Sequence, residues 1–155
     1  METTFKTIQQ FIVFKLNEQL YGISIQNVQI IEKIKSIMRV PKVPNCVKGV
    51  MNLRGEIIPV ISLRDQFNLS EKEYTDKTRI IIVKLEDAMV GLIVDEVKEV
   101  IEIENNQVEV VQNIQGKMKT SHILGVGKVE ENIVTLLNLS NIIEEAFSED
   151  NSDRR

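Results

Sequence analysis

Few residues in this chain have the type and spacing to do chemistry. Its single histidine, His122, lies in Thr120-Ser121-His122-Ile123-Leu124-Gly125 with no aspartate or cysteine near it in sequence, and its single cysteine is Cys46. A zinc centre needs several good ligands, and covalent catalysis needs a nucleophile with a base at a workable spacing; the sequence offers neither. Gly125-Val126-Gly127 lacks the remaining spacing of a phosphate loop and leads into a strand-like run, so it reads as a barrel corner. His122 reads as structural or as a surface residue, and Cys46 as a small core residue. No cofactor is expected. The sharpest feature is Asn52-Leu53-Arg54-Gly55 inside GVMNLRGEIIPVISL, Gly49 to Leu63, where a cation is set into a tight turn between two apolar runs. Gly55 reads as the residue supplying a positive φ, with Arg54 either closing an internal ion pair or facing a partner. Just before it, Pro41 and Pro44 remove two backbone donors and hold Val40 to Pro44 extended, which suits an edge or a loop.

The elements that must position these residues are bounded by composition. A chain of 155 residues with 43% apolar and 27% charged residues can bury a core without staples. The net charge is −4, and Ile142 to Arg155 holds most of it: Glu144, Glu145, Glu149, Asp150 and Asp153 stand against Arg154 and Arg155. The nearly neutral body lacks the clustered basic face of a nucleic-acid binder. One cysteine forbids an intramolecular disulfide and favours a reducing compartment. Met1 to Gln10 is polar, without the apolar core of a signal peptide, and no apolar run approaches the ~18 residues that span a bilayer. A cytoplasmic location without membrane insertion is expected.

The chain also repeats itself. Phe11 to Ile31, FIVFKLNEQLYGISIQNVQII, lies without a gap on Ile80 to Val100, IIIVKLEDAMVGLIVDEVKEV, so that Gly22 meets Gly91 and Val28 meets Val97. Gly49 to Leu63 lies in the same way on Gly125 to Leu139. Approximate halves span residues 8–67 and 79–147, joined by 68–78 and followed by a polar tail, 148–155, that is expected to be disordered. Each half opens with a hairpin that turns at Asn17-Glu18-Gln19 or Glu86-Asp87-Ala88, and a later pair of strands meets at Arg54-Gly55 or Glu130-Glu131-Asn132. Short strands with little helical period predict a mainly β fold of small barrels. One short C-terminal helix is expected, capped by Ser140 or Asn141, with Ile142, Ile143, Ala146 and Phe147 at helical spacing. Because Asn52, Arg54, Gly55 and Pro59 become Lys128, Glu130, Glu131 and Thr135 in the second copy, the architecture does not require Arg54.

These residues carry a resemblance. FKLNEQLYGISIQNV, the proline pair in VPKVP, VKGVMNLRGEIIPVISLR and VGLIVDEV, spread from about Ile8 to Phe147, resemble the CheW family of bacterial chemotaxis adaptors. The resemblance implies one CheW-like domain over 1–155, built as two intertwined five-stranded SH3-like barrels with a shared core. It also implies a function without catalysis, coupling the cytoplasmic tip of membrane chemoreceptors to the regulatory barrel domain of the histidine kinase CheA in receptor arrays. The chain has no room for a kinase, phosphotransfer or receiver domain, so a stand-alone adaptor is implied.

Site residues follow from the same resemblance. Ile25, Val28 and Ile31, three apart, with Ile12 on the partner strand, read as core from their types alone. The resemblance makes them an apolar groove for the receptor tip, with the repeat counterparts Val94, Val97 and Val100 on its other side. Val40, Val43, Asn52, Arg54 and Gly55 are implied as the kinase contact. Two departures stand out: Ile30 replaces a common acidic residue that would pair with Arg54, leaving Glu32 or Glu56 as candidates, and Ser62 replaces a common aspartate. A different class, a small nucleic-acid-binding barrel, remains as the alternative. It lacks a basic surface, and Phe14 and Tyr21 lie in core-like strands.

Overall fold

The computed structural model describes residues 7–110 and 119–148. The first half contributes β1 (Ile8–Leu16), β2 (Gln19–Ser24), β3 (Val28–Lys33), β4 (Val47–Leu53), β5 (Glu56–Ser62) and the single-turn helix α1 (Leu63–Gln66). The second contributes β6 (Arg79–Leu85), β7 (Ala88–Val94), β8 (Glu96–Glu104), β9 (Val108–Glu109), β10 (Ile123–Val129), β11 (Asn132–Leu137) and α2 (Leu139–Ala146). They form two sheets, ordered β8-β1-β2-β11-β10-β9 and β3-β6-β7-β5-β4. The opening hairpin of each half has thus been exchanged: β1-β2 sits in the sheet of the second half, and β6-β7 in the sheet of the first. Parallel pairings seat them there, β2 against β11 and β7 against β5.

The sequence repeat is a repeat of register. Phe11 pairs with Ser24 and, 69 residues on, Ile80 pairs with Ile93. Gly49 pairs with Val60 as Gly125 pairs with Leu136, each beside a bulge at the preceding residues. The turns match too: Asn17 and Glu86 take φ of 57° and 55°, Arg54 and Glu130 take 53° and 58°.

Hairpin exchange explains why β1 and β6 are apolar on both faces. Ile12, Phe14 and Leu16 point into a central cluster that also holds Ile81, Val83 and Leu92. Phe11 and Val13 point the other way, into a cluster with Ile103 and Leu136, while Ile80 and Ile82 join Met51, Ile58 and Val60. Each exchanged strand is buried between its own sheet's core and the shared one, which requires an apolar run in place of alternation.

Several details differ from the sequence reading. One sheet gains a sixth strand, β9, and neither strand order closes on itself among the described residues. Helix α2 begins earlier than expected, because Asn138 is the cap and its side chain accepts a hydrogen bond from the Asn141 N–H at 3.2 Å. Gly125 and Gly127 lie within β10 and not at a corner. A Cβ on Gly125 would stand 2.6 Å from a Val108 methyl, so this glycine lets β9 cross close to β10. Of the tail expected over 148–155, all but Ser148 lies outside the described residues, as do residues 111–118.

Candidate functional site

The β4–β5 hairpin is a short, stiff turn. Leu53 pairs with Glu56, leaving Arg54 and Gly55 as the two turn residues, with φ of 53° and 87°. Two successive positive φ values suit the right-handed twist of the strands, and Asn-Gly is the usual solution. Here the asparagine stands two residues earlier: Asn52 Oδ1 accepts the Gly55 N–H at 2.9 Å and fixes the loop. Arg54 is exposed and, among the described residues, has no ion-pair partner. Of the two readings of Arg54, the internal ion pair is not made among the described residues. Glu32 is engaged with Lys35 at 3.0 Å, and Arg54 occupies a left-handed conformation that a side chain with a Cβ adopts at a cost of about 1–2 kcal/mol. The turn is held by Asn52 and presents Arg54 outward.

Beside this hairpin, the proline segment crosses β4. Met38 and Val50 exchange backbone hydrogen bonds of 2.8 and 2.9 Å. Gly49, with φ of 147°, makes the crossing possible, since a Cβ there would stand 2.1 Å from the Met38 carbonyl oxygen. Val40 is exposed and Val43 half-buried against the shared core. With Met38 and Ile57, 69% and 61% exposed, they give this end an apolar surface around a cationic tip.

The second set of residues lies on the edge strands β3 and β8. Val28 pairs with Val83 and Val97 with Phe14, and both pack on the shared core. One step outward, Ile31 pairs with Ile81 and Val100 with Ile12. Directly paired residues of antiparallel strands share a face, so Ile31 and Val100 continue the shared-core face into solvent, at 40% and 49% exposure. Ile25 sits on a 3₁₀ turn, Ile25–Asn27, whose entry is capped by Ser24 Oγ accepting from the Gln26 N–H. Ile12 and Val94 belong elsewhere: at 5% and 0% exposure they are sealed inside and present no side chain to a partner. Their strands are buried on both faces, and sequence cannot tell which apolar residue of such a run ends outside. The apolar side chains left at least partly open beside the shared core are Ile25, Val28 and Ile31 on the β3 side and Val97 and Val100 on the β8 side.

Two polar constellations escaped the sequence reading. Arg64, 8% exposed, places Nη1 2.7 Å from Asp95 Oδ2 and its Nε donates to the Ser70 carbonyl at 2.9 Å. The same Asp95 oxygen accepts the Asn17 N–H at 2.9 Å. One carboxylate thus ties α1, the β7–β8 junction, the β1–β2 turn and, through Lys72, the connection between halves. Arg64 closes the motif VKGVMNLRGEIIPVISLR and Asp95 lies inside VGLIVDEV, each a charge directly after an apolar run, and that was the available signal. They floor a pocket of about 460 Å³ rimmed by Lys48, Asp65, Lys72 and Tyr74. Lys48 is raised above the ordinary lysine range, chiefly by its hydrogen bond to Asp65 at 2.8 Å.

His122 is buried, with Nε2 2.6 Å from Glu145 Oε1, and Lys119 joins the other carboxylate oxygen. The Nε2–H donates to the carboxylate, and Nδ1 has no partner among the described residues. Partial burial is the largest single influence on Glu145 and pushes it up, but the hydrogen bonds and charges of Lys119 and His122 together hold it below the ordinary value. The cluster fastens α2 to the start of β10. Cys46 is half-buried with Sγ 3.6 Å from the Ala146 carbonyl, and burial raises its thiol. Among the described residues no group of three His, Cys, Asp or Glu could hold a metal ion, and no helix is long and apolar enough to cross a membrane.

Comparison with known proteins agrees with this architecture. The family described as CheW-like domain matches residues 10–147. Chemotaxis protein CheW of Bacillus subtilis (strain 168) is 37% identical over 149 residues, covering 96% of each chain. The protein of the same name from Thermotoga maritima is 34% identical over 148 residues, covering 94% of this chain and 95% of that one. The crystal structure of scaffolding protein TtCheW from Thermoanaerobacter tengcongensis superposes with a TM-score of 0.83 at 35% identity, covering 89% of this chain and 94% of that chain. With a family match across nearly its whole length and a fold shared with a solved scaffolding protein, the chain belongs to the CheW-like family.

Proposed function

We propose that this chain is a chemotaxis adaptor without catalytic activity, coupling chemoreceptors to the histidine kinase CheA at the cytoplasmic side of receptor arrays. The receptor's cytoplasmic tip docks along Ile25, Val28, Ile31, Val97 and Val100. The kinase regulatory domain docks on the β4–β5 end, against Asn52, Arg54 and Gly55 with Val40 and Val43. The two surfaces belong to different strands of one body, from 8–67 and 79–147, so both partners can be held at once.

The observation that carries this reading is the family match through both halves, including every strand of both surfaces. The Arg54 turn supports it: an exposed cation keeps a left-handed conformation that glycine or asparagine would adopt more easily. Phe14 and Tyr21, 0% and 7% exposed, are packed into the core and give single-stranded nucleic acid no platform for stacking. Co-sedimentation of the full chain with a CheA fragment and a receptor-tip fragment, singly and together, tests the proposal. Retention with each partner and enhanced retention in the ternary mixture are expected; failure with both partners contradicts it.

A further inference from the structure

The two rims of the docking ridge are related by the repeat in shape and opposed in charge. Ile31 and Val100 are equivalent under the 69-residue offset, and so are the residues two positions further out, Lys33 and Glu102. Their cross-strand partners are equivalent as well: Lys33 pairs with Arg79, and Glu102 with Gln10. All four share the face of Ile81 and Ile12 and therefore flank the apolar ridge. The β3 rim carries two cations. Among the described residues Arg79 gives its guanidinium to the Asp76 and Thr78 carbonyls, at 2.9 and 2.8 Å, and neither Arg79 nor Lys33 has a carboxylate partner. The β8 rim carries Glu102, whose side chain among the described residues accepts a long 3.5 Å hydrogen bond from Gln10, and next to it Glu104, paired with Ile8, whose carboxylate also caps the turn Asn105–Gln107. Other acids on these strands face away or are neutralised, with Glu32 on the opposite face and bonded to Lys35.

Fold maintenance gives no reason for this polarity. Neither Lys33 nor Glu102 joins an ion pair among the described residues, and the same backbone position takes either sign in the two copies. We infer that the ridge reads the orientation of its occupant: an amphipathic receptor helix whose apolar face lies on Val28, Ile31, Val97 and Val100, with a carboxylate on the flank facing β3 and a cation on the flank facing β8. This rests on the receptor-docking reading and adds its chemistry. The repeat makes the apolar ridge nearly self-similar, so apolar contacts alone accept a helix in either direction, whereas like charges meeting at both rims reject one of them.

The test titrates the full chain with a soluble receptor-tip fragment between about 50 and 300 mM salt, a range over which exposed charges become screened. Lys33→Glu and Glu102→Lys are compared with the native protein and with Ile31→Glu, all at exposed positions that spare the core. Each rim reversal is expected to weaken binding about 3- to 10-fold at low salt and to flatten the salt dependence, while Ile31→Glu removes most of the binding. Rim reversals that leave affinity and salt dependence unchanged, with Ile31→Glu still disruptive, overturn the polarity and keep the docking surface. Normal binding by a folded Ile31→Glu overturns the docking surface and the polarity with it.

Discussion

Arg64 and Asp95 meet at 2.7 Å where the two halves join, with side chains only 10% and 11% exposed. They lie 31 residues apart, and Asp95 also receives the Asn17 N–H, so the pair fixes how the exchanged hairpin enters its host sheet. Such a pair is costly to break from one side, because the survivor is left as a buried charge. Asp95→Asn is predicted to destabilise the protein by about 3–5 kcal/mol, and the Arg64→Met, Asp95→Leu double variant by less than the sum of its parts. Urea unfolding of the native protein, Asp95→Asn, the two single variants Arg64→Met and Asp95→Leu, and the double variant checks this; additive losses in the cycle would show that the two residues act independently.

Arg54 gives an opposite prediction for stability and binding. Its φ of 53° favours asparagine or glycine, and it is exposed with no intramolecular ion pair among the described residues. Arg54→Asn is expected to unfold at equal or higher urea, with a gain of up to about 1 kcal/mol, while weakening CheA binding. Equal CheA affinity in a folded Arg54→Asn protein would take the residue out of the kinase contact.

Gly49→Ala isolates the crossing of the proline segment over β4. Its Cβ would meet the Met38 carbonyl oxygen at 2.1 Å, and φ is 147°, so backbone must move. A loss of about 2 kcal/mol or more is expected by chemical denaturation. Gly55→Ala, with nothing within 4 Å but φ of 87°, is expected to cost about 1 kcal/mol.

Glu145 predicts an acid-sensitive attachment of α2. Its carboxyl is held below the ordinary 4.5, so the stabilisation is fully present above that value and is lost as pH falls through the lower native value. Glu145→Gln is expected to be less stable at neutral pH and to lose less stability on acidification. Parallel pH profiles of unfolding midpoint for the two proteins would argue against the cluster.

How far the sequence carried these conclusions differs by element. The halves, the hairpin turns and the apolar strands were legible because a side-chain repeat preserves register, as Phe11–Ser24 and Ile80–Ile93 do. The short strand β9 and the Met38 bridge were not, since two residues carry no period. Residue type alone reads Ile12 as core, and it is the resemblance that sets Ile12 and Val94 on the groove; their burial at 5% and 0% and the pairing of Ile12 with the exposed Val100 separate inside from outside. Arg64 and Asp95 are not legible in the sequence, because charged residues far apart along the chain read as surface until the fold brings them together.

The ridge carries the central claim, and Val28→Glu addresses it most directly. Val28 is half-buried against the shared core, so its melting temperature must be measured beside binding, with the exposed Ile31→Glu as the variant that spares the fold. Replacing a central contact is expected to cost about 2 kcal/mol or more, roughly thirtyfold in receptor affinity, with CheA affinity unchanged. The decisive measurement is the affinity of Ile31→Glu and Val28→Glu for a receptor-tip fragment and for CheA, side by side. Loss of receptor binding with CheA binding intact is the predicted result; folded variants that bind the receptor tip as tightly as the native protein would contradict the account.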